Sequence, residues 1–268
     1  MDLQHALMIT VQIAREAGEL LRQGYEEEKR IERKSSAVDW VTQYDTAVEA
    51  LIIKRLQTAF PDHHIIAEES GHNGNPGAYT WYIDPLDGTN NFAHGFPVFC
   101  VSLALYAAGQ PLLGVIYDPL RDECFTAVRG GGAFLQRGER QTRLQVSQTT
   151  ALVDALLATG FPYDRHTAEV VENLAEVGAF LQRVQGIRRA GAAALDLAYV
   201  AAGRLDGYWE YKLHSWDVAA GVLLVQEAGG QVTLLDGTPF AIAPQLSLTV
   251  SNGRLHPLMR DVLQTLAN

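Results

Sequence analysis

Between His64 and Leu135 the chain breaks into closely spaced β-rich runs: His64 to Ala67, Tyr79 to Ile83, Phe99 to Tyr106, Leu113 to Tyr117, Glu123 to Val128 and Ala133 to Leu135. Most of the links between them are too short to carry a parallel crossover, so the spacing predicts a largely antiparallel sheet. Two helices come first. Leu3, Leu7, Val11, Ala14, Ala17 and Leu21 recur at three- and four-residue steps, which predicts an amphipathic helix over 3–24 that stops near Gly24. A second helix is predicted from Thr46, whose spacing to Glu49 suits a capping box, with Val48, Leu51, Ile52 and Leu56 as its buried stripe and Pro61 at its end. After about residue 150 the periods alternate. Helices are expected at 167–182, 192–202, 216–227 and 255–266, and strands at 154–159, 186–189, 205–210, 230–235 and 246–251. The fold class is therefore α+β or layered αβ, divided into halves 1–148 and 149–268.

Composition bounds the function. At 268 residues and 47% hydrophobic the chain can bury a large core. A formal net charge of -10, from 21 Lys and Arg against 31 Asp and Glu, argues against nonspecific nucleic-acid binding. Cys100 and Cys124 have no C-x-x-C spacing and read as buried thiols. The start, Met1-Asp2-Leu3-Gln4-His5, lacks a basic and apolar leader, and the apolar stretch from Val98 to Gly109 is too short to span a bilayer. A cytoplasmic protein without a membrane span is expected.

The chemically informative segment is Trp81-Tyr82-Ile83-Asp84-Pro85-Leu86-Asp87-Gly88-Thr89, an apolar strand running into two aspartates. Asp-Pro-x-Asp-Gly is also what a tight turn prefers. Glu68 and Glu69 follow another short strand, where alternation would send them to opposite faces, one toward a shared site and one behind it. Asp217 falls in the first turn of a predicted helix, a place acids favour without any ligand. If Glu68, Asp84, Asp87 and Asp217 converge, their repulsion demands cations. Two carboxylates about 4 Å apart repel by about 4 kcal/mol at an effective dielectric of 20. Oxygen ligands suit magnesium, whereas His63, His64 and His94 lack the spacing of a zinc site. Backbone N–H groups after the Asp87-Gly88 turn could hold a phosphate.

These residues resemble a known family. Asp84-Pro85-Leu86-Asp87-Gly88-Thr89 is similar to the first signature of the inositol monophosphatases, and Trp216-Asp217-Val218-Ala219-Ala220-Gly221 to the second. Glu68-Glu69 stand where the family has paired glutamates, Lys34-Ser35-Ser36 with Asp45 resemble its N-terminal motif, and Asn91 to Pro97 fits as well. The resemblance implies a layered αβαβα sandwich of the inositol monophosphatase and fructose-1,6-bisphosphatase type, in general a homodimer, with two or three Mg2+ ions per site. It implies that residues 1–148 carry most metal ligands and 149–268 carry Asp217 and the substrate contacts, as one compact catalytic unit. Glu68, Asp84 and the Leu86 carbonyl would hold one ion, and Asp84, Asp87 and Asp217 another. Thr89, oriented by Asp45 and working with Glu68, would position the attacking water, with Glu69 and Lys34 in support. Gly88 and Thr89 would contact the phosphate. Lithium sensitivity goes with the family.

Gly191, Ala193, Glu210 and Asp217 fall where the resemblance implies contact with a small phosphorylated polyol, inositol monophosphate first among them. Ala192 stands where Ser or Thr is common in the family. Histidinol phosphate, fructose 1,6-bisphosphate and adenosine 3′,5′-bisphosphate share the chemistry, and Arg188 and Arg189 could serve a second phosphate. A reading from another class is a regulatory member that keeps the fold and contacts RNA or protein.

Overall fold

Asp2 opens the first helix by accepting N–H hydrogen bonds from Gln4 and His5 at 2.9 and 3.2 Å, a side-chain cap on α1 (Leu3–Tyr25). The computed structural model describes residues 1–34, 36, 38–74, 77–163 and 173–267; Ser35 and the expected helical residues 167–172 lie outside them. The first half continues with β1 (Ile31–Arg33), β2 (Trp40–Thr42), α2 (Gln43–Ala59), β3 (His64–Ala67), β4 (Gly71–Asn73), β5 (Tyr79–Asp87) and α3 (Thr89–Ala93). Four meander strands complete it: β6 (Cys100–Ala107), β7 (Gln110–Asp118), β8 (Glu123–Val128) and β9 (Gly132–Arg137), followed by the exposed edge β10 (Arg140–Arg143). The second half holds β11 (Leu156–Thr159), α4 (Leu174–Leu181), β12 (Gly186–Arg188), α5 (Ala193–Ala201), β13 (Gly207–His214), α6 (Ser215–Glu227), β14 (Gln231–Leu234), β15 (Gln245–Ser251) and α7 (His256–Ala267).

One eight-stranded sheet runs β10-β9-β8-β7-β6-β5-β3-β4 and is antiparallel except where β3 lies parallel to β5. A five-stranded sheet runs β12-β11-β13-β15-β14, parallel at β12-β11-β13 and antiparallel beyond. Helices fill three layers around them. α1 and α2 cover the outer face of the large sheet, burying Ile13, Leu21, Ile52 and Leu56 against Trp81 and Val115. α5 and α6 lie between the sheets, and α4 with α7 closes the far face of the small sheet over Trp209. The layers are α, β, α, β, α, the expected sandwich. Sequence explains the middle layer, because α6 is apolar all round, with Val218, Ala219, Val222, Leu223 and Val225 buried on successive faces. Each large apolar side chain buried this way contributes about 1.5–3 kcal/mol. Among the described residues no helix is long and apolar enough to cross a membrane.

Candidate active site

The two aspartates of β5 share a side of the strand because the strand is irregular there. Asp84 pairs with Ser102 and Asp87 with Cys100, so three steps along β5 oppose two along β6. That extra residue is a bulge, which re-aims the side chains beyond it. In a regular strand Asp84 and Asp87 would face opposite ways. Within the bulge the Leu86 N–H donates to Asp84 Oδ1 at 3.0 Å, and the Leu86 carbonyl accepts from Thr89 Oγ1 at 3.0 Å. Gly88 then turns the chain into α3 with φ +94°, and a Cβ there would lie 2.8 Å from the Val98 carbonyl oxygen. Only glycine meets both demands.

Thr89 also donates to Asp45 Oδ1 at 2.7 Å, and both residues are buried. Asp45 is held by the start of α2: its Oδ2 accepts from the Thr42 N–H at 2.8 Å and the Thr42 hydroxyl at 2.6 Å, while Thr42 Oγ1 accepts from the Tyr44 N–H. The capping box is thus Thr42 with Asp45, one turn earlier than the expected Thr46 with Glu49. Thr46 instead donates to the Gln43 carbonyl. Glu49 is drawn elsewhere, its carboxylate accepting from the Glu69 and Ser70 N–H groups, each at 2.8 Å.

Strand alternation does not set the directions of Glu68 and Glu69, although Glu68 borders the same cleft as Asp87 and Asp217 and Glu69 does not. They sit in the turn after β3 rather than in the strand, and both carboxylates reach one ammonium. Lys34 Nζ lies 2.8 Å from Glu68 Oε1 and pairs with Glu69 Oε1 as well. Burial works against the lysine charge, but the two glutamates outweigh it and hold its pKa well above the usual value. Arg188 is exposed, and Arg189 folds its guanidinium over Gly191.

Lys34, Glu68, Asp87, Gly191, Ala193, Glu210 and Asp217 line one cleft of ≈ 480 Å³, with Asp45, Asp84 and Thr89 buried beside it. Asp217 Oδ2 accepts from the His214 N–H at 2.7 Å, fixing it at the start of α6. Asp87 accepts from the N–H groups of Ala193 and Ala194 at 3.2 and 2.8 Å, so the N-terminus of α5 is held against the bulge. Glu210 accepts from the Tyr208 hydroxyl, and its carboxylate rests on Gly160, where a Cβ would come within 2.1 Å of Oε2. Thr42, Glu49, Gly160, Tyr208 and Asp196, another residue lining the cleft, were not singled out for the site from sequence.

Charge decides what such a cleft accepts. Burial, then repulsion from Glu68, Asp87 and Asp217, raises Asp84 far above the carboxylate range. Burial, then Glu68 and Asp87, does the same to Asp217 against the His214 N–H. Burial pushes Asp87 up to about 6 against the α5 N–H groups, and pushes Glu69 and Glu210 up to about 7. Among the described residues no three His, Cys, Asp or Glu side chains are gathered tightly enough to enclose a metal as they stand. The donor set is nevertheless all oxygen and mutually repelling, which fits a hard divalent cation completed by water and phosphate rather than zinc.

The inositol monophosphatase family model matches residues 2–267. An inositol-1-monophosphatase of Synechocystis sp. is 42% identical over 265 residues, covering 98% of this chain and 90% of its own. A Nus factor SuhB of Pasteurella multocida is also 42% identical over 265 residues, covering 95% and 97%. The solved inositol monophosphatase from Anabaena (Nostoc) sp. PCC 7120 superposes with a TM-score of 0.87 at 44% identity, covering 99% of this chain and 97% of that one.

Proposed function

Because the chain belongs to the inositol monophosphatase family, we propose that it is a magnesium-dependent phosphatase that hydrolyses a small polyol phosphate monoester, with inositol monophosphate as the first candidate. The observation that carries this reading is the hydrogen bond from Thr89 to Asp45 at 2.7 Å, at the end of a bulge that turns Asp84 and Asp87 to one side. Glu68, Asp84, the Leu86 carbonyl, Asp87 and Asp217 would hold the ions. When bound, these supply neutralising charge, an acidified water and stabilisation of the leaving oxygen.

The remaining work belongs to the protein. Thr89 gives its proton to Asp45 and so turns an oxygen lone pair toward the attacking water. As that water loses a proton to Thr89 Oγ1, the threonine proton moves to Asp45 Oδ1. Burial raises the pKa of Asp45 and suits it to receive that proton. Glu68 offers a second acceptor to the same water, with Glu69 and Lys34 behind it. The Gly88 and Thr89 N–H groups lie at the turn where phosphate oxygens would sit. Gly191, Ala193 and Glu210 line the space left for the alcohol.

Phosphate release from inositol 1-phosphate, histidinol phosphate, fructose 1,6-bisphosphate and adenosine 3′,5′-bisphosphate, with magnesium and with chelator, tests this. Selective, magnesium-dependent release from inositol 1-phosphate is expected, with lithium inhibition and a homodimer by sedimentation. Release from another member would move the substrate and keep the chemistry. Equal identity to a protein named as a Nus factor favours one second reading, contact with RNA or a protein partner. Silence across the panel together with metal-independent capture of such a partner would support it.

A further inference from the structure

Asp196 has no part in the roles above. It stands in the first turn of α5, only 2% exposed, and lines the cleft. Among the described residues no hydrogen bond or ion pair reaches its carboxyl group, although buried polar groups are nearly always paired. A carboxyl withdrawn from water without a partner costs folding free energy, so its presence in a cleft points to a partner that arrives with the ligand. Its neighbour in the cleft is Glu210, which leans on Gly160 and uses one oxygen on the Tyr208 hydroxyl, leaving Oε1 for a ligand. Arg189 already places positive charge within reach of both acids. A cationic ligand therefore gains less here than a neutral hydroxyl, which a carboxyl can pair through one short hydrogen bond.

We propose that Asp196 is a specificity-determining residue that hydrogen-bonds a hydroxyl of the alcohol beside the one read by Glu210, so that the cleft selects phosphate esters of alcohols with at least two further hydroxyls. The inference rests on the polyol phosphatase reading and deepens it. Its test compares Asp196→Ala and Asp196→Asn with the parent protein on inositol 1-phosphate and on 4-nitrophenyl phosphate, whose leaving group has no aliphatic hydroxyl. Asp196→Ala should lose about 10- to 100-fold in kcat/KM on inositol 1-phosphate, mainly through KM, and less than about threefold on 4-nitrophenyl phosphate. Asp196→Asn should recover part of that loss. The Tm of both variants should stay level or rise, since an unpaired buried acid is removed. Parallel losses on both esters, or unchanged kinetics on inositol 1-phosphate, would overturn the proposal. Should the parent hydrolyse neither ester nor any other member of the panel, the phosphatase reading fails, and calorimetric binding of free myo-inositol decides the role of Asp196 without turnover. Binding that weakens in Asp196→Ala supports it; binding that is absent or unchanged rejects it.

Discussion

The Thr89 hydroxyl has two acceptors within reach, Asp45 Oδ1 at 2.7 Å and the Leu86 carbonyl at 3.0 Å, and one proton to give. The shorter bond, to a carboxylate held by Thr42 on its other oxygen, is the stronger. With its proton committed to Asp45, Thr89 would offer a lone pair to the attacking water of the proposed mechanism, which an alanine cannot do. Thr89→Ala should lower kcat by about 10²- to 10⁴-fold, whereas Thr89→Ser should keep most of it. Steady-state kinetics at saturating magnesium decide, and an active alanine variant would remove the hydroxyl from the mechanism. Gly88 makes a different demand, on backbone alone. Gly88→Ala adds a Cβ 2.8 Å from the Val98 oxygen at φ +94°, at a cost of about 1–3 kcal/mol in denaturant unfolding.

At the scale of elements, legibility followed the range of the determining contact. α1 and α7 were readable from their amphipathic period, and the meander β6 to β8 with the apolar helices α5 and α6 from the length of their apolar runs and the turn residues that bound them. β1, β2, β4 and β10 were not, being three or four residues long with little buried surface to impose alternation. The signature carboxylates were visible as a motif, but the bulge that turns Asp84 and Asp87 together exists only in register with β6. The start of α2 shows the same limit, since Thr42 with Asp45 and Thr46 with Glu49 have equal spacing. What separates them is the turn after β3, some 20 residues on, which takes Glu49 for its own N–H groups. Asp196, Gly160 and Tyr208 likewise acquire meaning only where chain segments distant in sequence meet. Glu49→Ala should leave those two N–H groups without their acceptor, destabilise the fold by about 2–3 kcal/mol and weaken magnesium binding through Glu68. Chemical denaturation and metal titration measure the two effects, and a variant with unchanged metal affinity would detach α2 from the presentation of Glu68.

Across the whole molecule the cleft sets a conflict between folding and ionisation. Asp84, Asp87, Glu69, Glu210 and Asp217 all have folded pKa values raised, chiefly by burial. A raised acid binds more protons folded than unfolded, so its contribution to stability falls as pH climbs from the unfolded value through the folded one. For Glu69 and Glu210 that window runs from the ordinary 4.5 to about 7. His256 works in the other direction. Buried between Thr233 and Ser251, its pKa is lowered from 6.5 to about 4, so stability from the neutral ring grows as pH rises and is largely complete above 6.5. The clean interval is therefore about pH 6.5 to 8, where the cleft acids still titrate and His256 has nearly finished. With chelator present, Tm should fall across that interval by roughly 5 °C. Magnesium favours the ionised cleft, so at a fixed concentration it should raise Tm more at pH 8 than at pH 6.5. Scanning calorimetry at both pH values, with and without magnesium, measures the four midpoints. A Tm that holds or rises without metal, or an equal magnesium shift at both pH values, would mean that the acids of the cleft are not the groups whose charge the ion balances.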